Sequence, residues 1–410
     1  MMDRNPATRG GFFASPRTLA FVAAASLGLA TAAAAQPVRV GLIGPFTGGS
    51  ADFGNSVRYG AELAVKEINE VGGYLGRKLE LVVRDDKADP ETGLKAAQDL
   101  VLREKVDFTI GFCNTGVAMK SLDVFQANRN LLMVPCSQGT AVTTKFPAAQ
   151  SYVFRVAPPD ATNAKFLVSE IVDRRKLRSV AIFADETGYG SGGLNDLQSE
   201  LAKRGLAAKY VARFPLGVAS LAAQMRAAKE ARVDAIVAYT VGPEQAVAVK
   251  SRQEAGLAAP FFAPWPLSFR SVLEAAGPAA LEGTMMVQTI VHDTLNERRA
   301  SFLARYSRHA GEPRIGSLMS AAQSYDAVHL MLRAVFIARS TQGDALKKAL
   351  ESMENPYQGV VTTYVRPFTP DDHEAFSENM LFLGVWKKGQ IEYFYPEDAK
   401  RAGYVRRKER

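Results

Sequence analysis

Two short polar stretches hold the residue types that could bind an anion. They are Gly111-Phe112-Cys113-Asn114-Thr115-Gly116 and Pro135-Cys136-Ser137-Gln138-Gly139-Thr140, each following an apolar run and preceding helical sequence. If the runs Val106 to Ile110 and Leu131 to Val134 are consecutive strands of a parallel sheet, both loops lie on its carboxyl edge. That is where open α/β folds bind ligands, and the free N–H groups of a helix start favour a carboxylate there. The hydroxyls of Thr115, Ser137 and Thr140 would join them. One such loop is ordinary turn and cap chemistry. Two on neighbouring strands point to a site.

Other chemistries find less support. Gly188-x-Gly190-x-x-Gly193 has dinucleotide-fingerprint spacing and makes an NADP-dependent oxidoreductase an alternative, but Ala184 to Thr187 stand between strand and first glycine, and no acid ends the next strand at Arg213. The four histidines, His292, His309, His329 and His373, lack zinc-type spacing, and neither a nucleophile elbow nor a P-loop occurs. Asp85 and Asp86, neighbours on a strand, point to opposite faces and suit backbone capping better than acid–base work. No enzyme activity, cofactor or metal is expected. Cys113 and Cys136, the two cysteines of the chain, end adjacent strands, so a disulfide and two buried free thiols are both open.

The elements that must position these residues alternate between strand and helix. Val38 to Gly44 is a strand, followed by a Gly-rich loop from Phe46 to Gly54 and a helix capped by Asn55. Leu79 to Val83 is a second strand, and Asp89 with Pro90 opens a second helix. At Ala157-Pro158-Pro159-Asp160 the rhythm breaks, as at a hinge. A second series follows, with strands at Val180 to Ala184, Ala208 to Phe214, Asp234 to Tyr239 and Pro260 to Ala263. The fold class is α/β, with two doubly wound parallel-sheet lobes. Lobe I is expected to comprise residues 36–156 plus 284–356, and lobe II residues 157–283 plus 357–410.

Arg4, Arg9 and Arg17 precede the apolar run Leu19 to Ala35, which ends in Ala33-Ala34-Ala35, so residues 1–35 are expected to be an export signal cleaved after Ala35. The mature chain of about 375 residues has room for two domains, and it is expected in the periplasm without membrane insertion. Its formal charge of +8 falls to +6 once three Arg and one Asp leave with the signal, too mild a balance to suggest nucleic acid.

Taken together, Val40-Gly41-Leu42-Ile43-Gly44-Pro45, Asp85-Asp86-x-x-Asp89-Pro90, Gly111-x-x-x-Thr115-Gly116, Phe154-Arg155, Tyr189-Gly190 and Tyr325-Asp326-Ala327 resemble the type I periplasmic solute-binding proteins of the branched-chain amino-acid transporter class. The resemblance implies two lobes joined by three crossovers, a ligand clamped between them, and delivery to an ABC permease in the inner membrane. A ligand-sensing receptor of the same fold is the other non-enzymatic possibility. Carried over by position, Thr115 takes the role of carboxylate-binding hydroxyl, Ser137 and Gln138 contact the head group, Phe53 is the first-loop aromatic and Tyr189 closes from the second lobe. The expected ligand-binding set is Phe53, Asn114, Thr115, Ser137, Gln138, Tyr189, Tyr239 and Trp265. Where amino-acid binders place an acid to meet the ligand's ammonium, this chain has Ala263-Pro264-Trp265-Pro266. The expected ligand is therefore an aromatic or aliphatic carboxylate lacking that ammonium, with Phe53, Phe112, Tyr189, Tyr239 and Trp265 offering aromatic faces, and a branched-chain or hydrophobic amino acid, its ammonium met by Glu244 or Asp185, stays open.

Overall fold

The computed structural model describes residues 36–292, 296–312, 314–401 and 408–409. The expected export signal and its cleavage after Ala35 fall on residues 1–35, outside the described ones. Five parallel strands form the first sheet: β1 (Val38–Gly44), β2 (Leu79–Asp85), β3 (Phe108–Ile110), β4 (Leu131–Val134) and β5 (Val153–Arg155), in the order β2-β1-β3-β4-β5. Strand alternation sends Val40, Leu42, Ile110 and Met133 to one face, into a core shared with the helices Ala51–Glu70 and Leu318–Ala338. Ile43, Leu132 and Val134 go to the other, against the helices Pro90–Gln98 and Thr115–Ala127. Both faces are covered, as a parallel sheet requires.

The second sheet holds five parallel strands: β6 (Val180–Asp185), β7 (Tyr210–Phe214), β8 (Ala235–Tyr239), β9 (Phe261–Ala263) and β10 (Met285–Gln288). A two-stranded ribbon, β11 (Tyr357–Gln358) and β12 (Thr363–Tyr364), comes next in the chain, before β13 (Phe382–Lys387) and β14 (Gln390–Tyr393). The last two extend the second sheet antiparallel, giving β14-β13-β10-β9-β8-β6-β7.

Two expected boundaries are corrected. The return to the first lobe does not begin at residue 284, because β10 pairs with β9 and β13 in the second sheet. Its residues feed cores on both faces, Met286 one and Met285 and Val287 the other, so the strand belongs inside a sheet covered on both sides. Nor does the chain from residue 357 pass straight to the second lobe. Asp326 of helix Leu318–Ala338 accepts from Val360 N (2.7 Å), Val361 N (3.0 Å) and the Tyr364 hydroxyl (3.1 Å), holding the ribbon on the first lobe. Beyond it, Glu374 bridges to Arg155 of β5. The three crossovers therefore follow β5, follow β10, and precede β13.

The glycine-rich stretch after β1 is also shorter than expected. The helix begins at Ala51 rather than after Asn55, whose amide instead donates to Phe46 O (3.1 Å). The early start depends on Gly54, where a Cβ would stand 1.8 Å from Pro45 O. Asp89 caps the next helix as expected, accepting from Thr92 N at 2.8 Å with Pro90 in the first turn. Among the described residues no helix is long and apolar enough to cross a membrane.

Candidate functional site

In the first sheet β1 lies between β2 and β3, so the strand order reverses there, and the loops after β1, β3 and β4 share the carboxyl edge. Asp85, at the end of β2, fixes the first loop: it accepts from Phe46 N (2.9 Å), Lys87 N (2.9 Å) and the Thr47 hydroxyl (2.7 Å). Its neighbour Asp86 caps Ala88 N at 2.8 Å. The two carboxylates are thus loop braces. After β3, Asn114 precedes helix Thr115–Ala127 and makes no side-chain cap bond, so its side chain leaves the helix start uncovered. The Thr115 hydroxyl accepts from Gly139 N and meets the Ser137 hydroxyl, both at 3.3 Å, which ties the two polar loops together. Gly139 is required for that approach, since a Cβ there would lie 2.2 Å from Thr115 Cγ2.

The second lobe presents its own strand ends to these loops. Asp185 of β6 accepts from Thr187 N (2.9 Å) and the Thr187 hydroxyl (2.5 Å), and its other oxygen accepts from Val241 N (3.2 Å). Thr187 in turn caps helix Gly188–Ala202, accepting from Tyr189 N and Gly190 N. The glycines of the dinucleotide-like pattern have a packing cause. A Cβ on Gly190 would strike Asp185, and one on Gly193 would stand 2.1 Å from the Tyr239 ring. With a side chain already capping that helix start, the oxidoreductase alternative loses its phosphate site.

Between the lobes lies a narrow chamber. Its first-lobe wall is Phe53, Cys113, Asn114, Thr115, Cys136 and Gln138, and its second-lobe wall is Tyr189, Val241, Trp265, Pro266 and Phe269. The free space is ~10 Å³, about one water molecule, so a solute must spread the walls or lobes to enter. No charged side chain is among these residues. Among the described residues, polar groups there lack partners: Asn114 Oδ1, both amide atoms of Gln138 and the Tyr189 hydroxyl are buried without a hydrogen bond. Such groups cost free energy unless something meets them. Burial, with the nearby Asp160 and Asp185 carboxylates, pushes the Tyr189 hydroxyl well above the ordinary phenol range, so it is a donor at neutral pH.

Six of the eight expected residues, Phe53, Asn114, Thr115, Gln138, Tyr189 and Trp265, line this chamber. Ser137 and Tyr239 do not. Ser137 supports Thr115 from behind, and Tyr239 is fully buried, 5.0 Å from the Tyr189 ring centre and donating to Asp160 at 2.5 Å. Phe112, expected among the cleft aromatics, is instead packed edge-on to Phe125 in the core. Phe269 was missed. Its ring centre lies 5.2 Å from that of Phe53, tilted, and 5.6 Å from that of Trp265, edge-on, and its only sequence signal is its position four residues after Trp265.

Cys113 and Cys136 are both free thiols and both face the chamber. Burial first, then the adjacent Cys136 thiol, raises Cys113 well above the usual thiol range. Thiolate is the reactive form. Iodoacetamide is therefore expected to leave the native protein unmodified while labelling two cysteines after unfolding without reductant. Mass spectrometry showing an unlabelled pair in the unfolded chain would instead reveal a bridge.

Two lobes whose strand ends converge on one chamber, with polar groups awaiting a partner, define a hinged small-molecule binding protein. The model of the family described as periplasmic binding protein matches residues 37–390, and the chain belongs to that family. It is 34% identical over 183 residues to Leu/Ile/Val-binding protein homolog 3 of Brucella melitensis, a match spanning 45% of this chain and about half (48%) of that protein. Leu/Ile/Val-binding protein homolog 2 of Brucella abortus is 27% identical over 354 residues, covering 86% of this chain and 91% of the relative. Among solved structures, a type 1 periplasmic binding protein of Bordetella pertussis superposes with TM-score 0.78 at 24% identity, covering 87% of this chain and all (100%) of that one. An ABC-transporter solute-binding protein of R. palustris in complex with benzoate gives 0.76 at 20% identity, covering 87% and 95%. At such identities the structural likeness speaks for the fold alone.

Proposed function

We propose that this protein is the periplasmic solute-capturing component of an ABC importer, and that its solute is a small carboxylate with an aromatic or branched aliphatic body. The observation that carries this reading is the chamber itself: unpartnered polar groups at Gln138 and Asn114 stand beside an uncapped helix start, and the opposing wall is the apolar set Trp265, Pro266 and Phe269. The carboxylate meets Thr115, Gln138 and the helix N–H groups. Aromatic surface closes over the remainder by hinge motion, giving the permease a shape to recognise. The names of the Brucella relatives favour a branched-chain amino acid as a second reading. Among the described residues the chamber offers no acidic side chain to an ammonium.

A thermal-shift screen of aromatic acids, 2-oxo acids and amino acids tests the solute class, because a ligand at 100 times its dissociation constant stabilises by about 2.7 kcal/mol. Ligand-stimulated ATPase activity in a transporter reconstituted with its permease tests the import role. Thr115→Val is expected to weaken the best ligand by about 1.5 to 3 kcal/mol, the worth of a hydrogen bond to a charged group. Unchanged affinity in calorimetry would remove Thr115 from the site.

A further inference from the structure

A second cavity lies behind the partition formed by Trp265–Ser268 and Phe269. Its free volume is about 360 Å³, within the size range of small-molecule sites. While Trp265 and Phe269 face the chamber, Ser268 and Arg270 face this space. All three parts of the molecule contribute apolar walls: Leu303 and Leu318 from the first lobe, Leu273 and Trp386 from the second, and Ile290 from the crossover after β10. Trp386 is locked in place by its indole N–H, which donates to Leu267 O at 2.9 Å.

The polar lining residues are Ser268, Arg270, Gln288, His292, Ser307, Arg314 and Gln390, with Arg270 and Arg314 the charged ones. Gln288, the last residue of β10, is only 2% exposed, and its Nε2 donor has no hydrogen-bond partner among the described residues. Arg314 makes no ion pair or side-chain hydrogen bond among the described residues, whereas Arg270 is held by Glu312 at 2.9 Å. Among the described residues no acidic side chain lines the cavity. A buried, unmet N–H donor and an uncommitted guanidinium beside the apolar wall of Leu303, Leu318 and Trp386 call for an anionic oxygen on an apolar body.

We propose that this cavity is a second ligand site, separate from the interlobe chamber, that takes an amphipathic monocarboxylate: the carboxylate meets Gln288 and Arg314, and the hydrocarbon lies against Leu303, Leu318 and Trp386. Because its walls come from both lobes and a crossover, an occupant favours one lobe arrangement over others. By linkage it then alters affinity in the chamber, and the chamber's solute alters affinity here by the same factor.

Decanoate is the probe, titrated calorimetrically into the mature protein. The expected result is saturable binding that Arg314→Glu and Gln288→Leu each weaken by about tenfold or more, the loss of a hydrogen bond to a charged group, and that Thr115→Val leaves intact. Arg314 is exposed, so its reversal should not disturb folding. Gln288→Leu removes a buried donor that nothing satisfies. No saturable heat at millimolar decanoate would overturn the proposal. So would binding that falls with Thr115→Val and ignores both cavity variants, since that places the probe in the chamber. Either failure leaves the import reading of the chamber untouched.

Discussion

Phenylpyruvate is expected to bind at least about 100-fold more tightly than phenylalanine, because an ammonium buried without a negative partner costs several kcal/mol and each 1.4 kcal/mol is a factor of ten. A branched 2-oxo acid should likewise exceed leucine. Among the described residues no carboxylate lines the chamber, and Asp185, Glu244 and Asp160 are committed elsewhere. Asp185 braces Thr187 and Val241, and Glu244 accepts from Gly217 N at 2.7 Å. Asp160 sits behind Tyr239, and burial pushes it up to about 7 despite the Tyr239 hydrogen bond. Gln138 Oε1 and Asn114 Oδ1 can accept from an ammonium but supply no charge to offset its desolvation. Calorimetry on both matched pairs decides the matter; tighter binding of the amino acid in each would sink the reading.

Arg155→Met is expected to lower unfolding stability by about 3 to 5 kcal/mol, the cost of breaking a buried ion pair by removing one partner. Arg155 is fully buried at the end of β5. Its Nε donates to Glu374 at 2.8 Å, and a second guanidinium nitrogen pairs with the other oxygen of that carboxylate and with the Thr143 hydroxyl at 2.9 Å. The third nitrogen donates to Gly139 O at 2.7 Å. One planar group thus joins the Gly139 loop to the segment approaching the last crossover, which Lys cannot reproduce. In the variant Glu374 is left largely buried and unpaired. Urea denaturation measures the loss, and a change below about 1 kcal/mol would mean the pair is dispensable. Replacing Arg155 and Glu374 together by Met and Leu should recover much of it, since no lone charge then remains. Ligand affinity should fall in Arg155→Met even where the protein is folded, because Gly139 positions Thr115.

Local pattern was enough to read the alternating strands and helices, the Asp89 cap with Pro90, and the placement of Thr115 and Gln138 at strand ends. These features depend on residues near in sequence: apolar period, cap chemistry and the strand-to-helix order that puts loops on one edge. The assignment of β10 lay beyond that reach. A short, largely apolar strand fits either sheet, and the choice is made by which strands pair with its two edges, β9 through Phe262 and Ala263 on one side and β13 on the other. The ribbon at Tyr357–Tyr364 was likewise decided by the buried Asp326, some thirty residues away in sequence. Side-chain direction at the cleft was also settled in three dimensions. Phe112 and Tyr239 sit at strand ends just as Phe53 and Trp265 flank theirs, yet packing against Phe125 and the bond to Asp160 turn the first pair into the core. The sequence determined which loops share the carboxyl edge, because strand-to-helix order is local; only tertiary packing decided which aromatic rings line the chamber and that Asp185 and Glu244 are committed elsewhere.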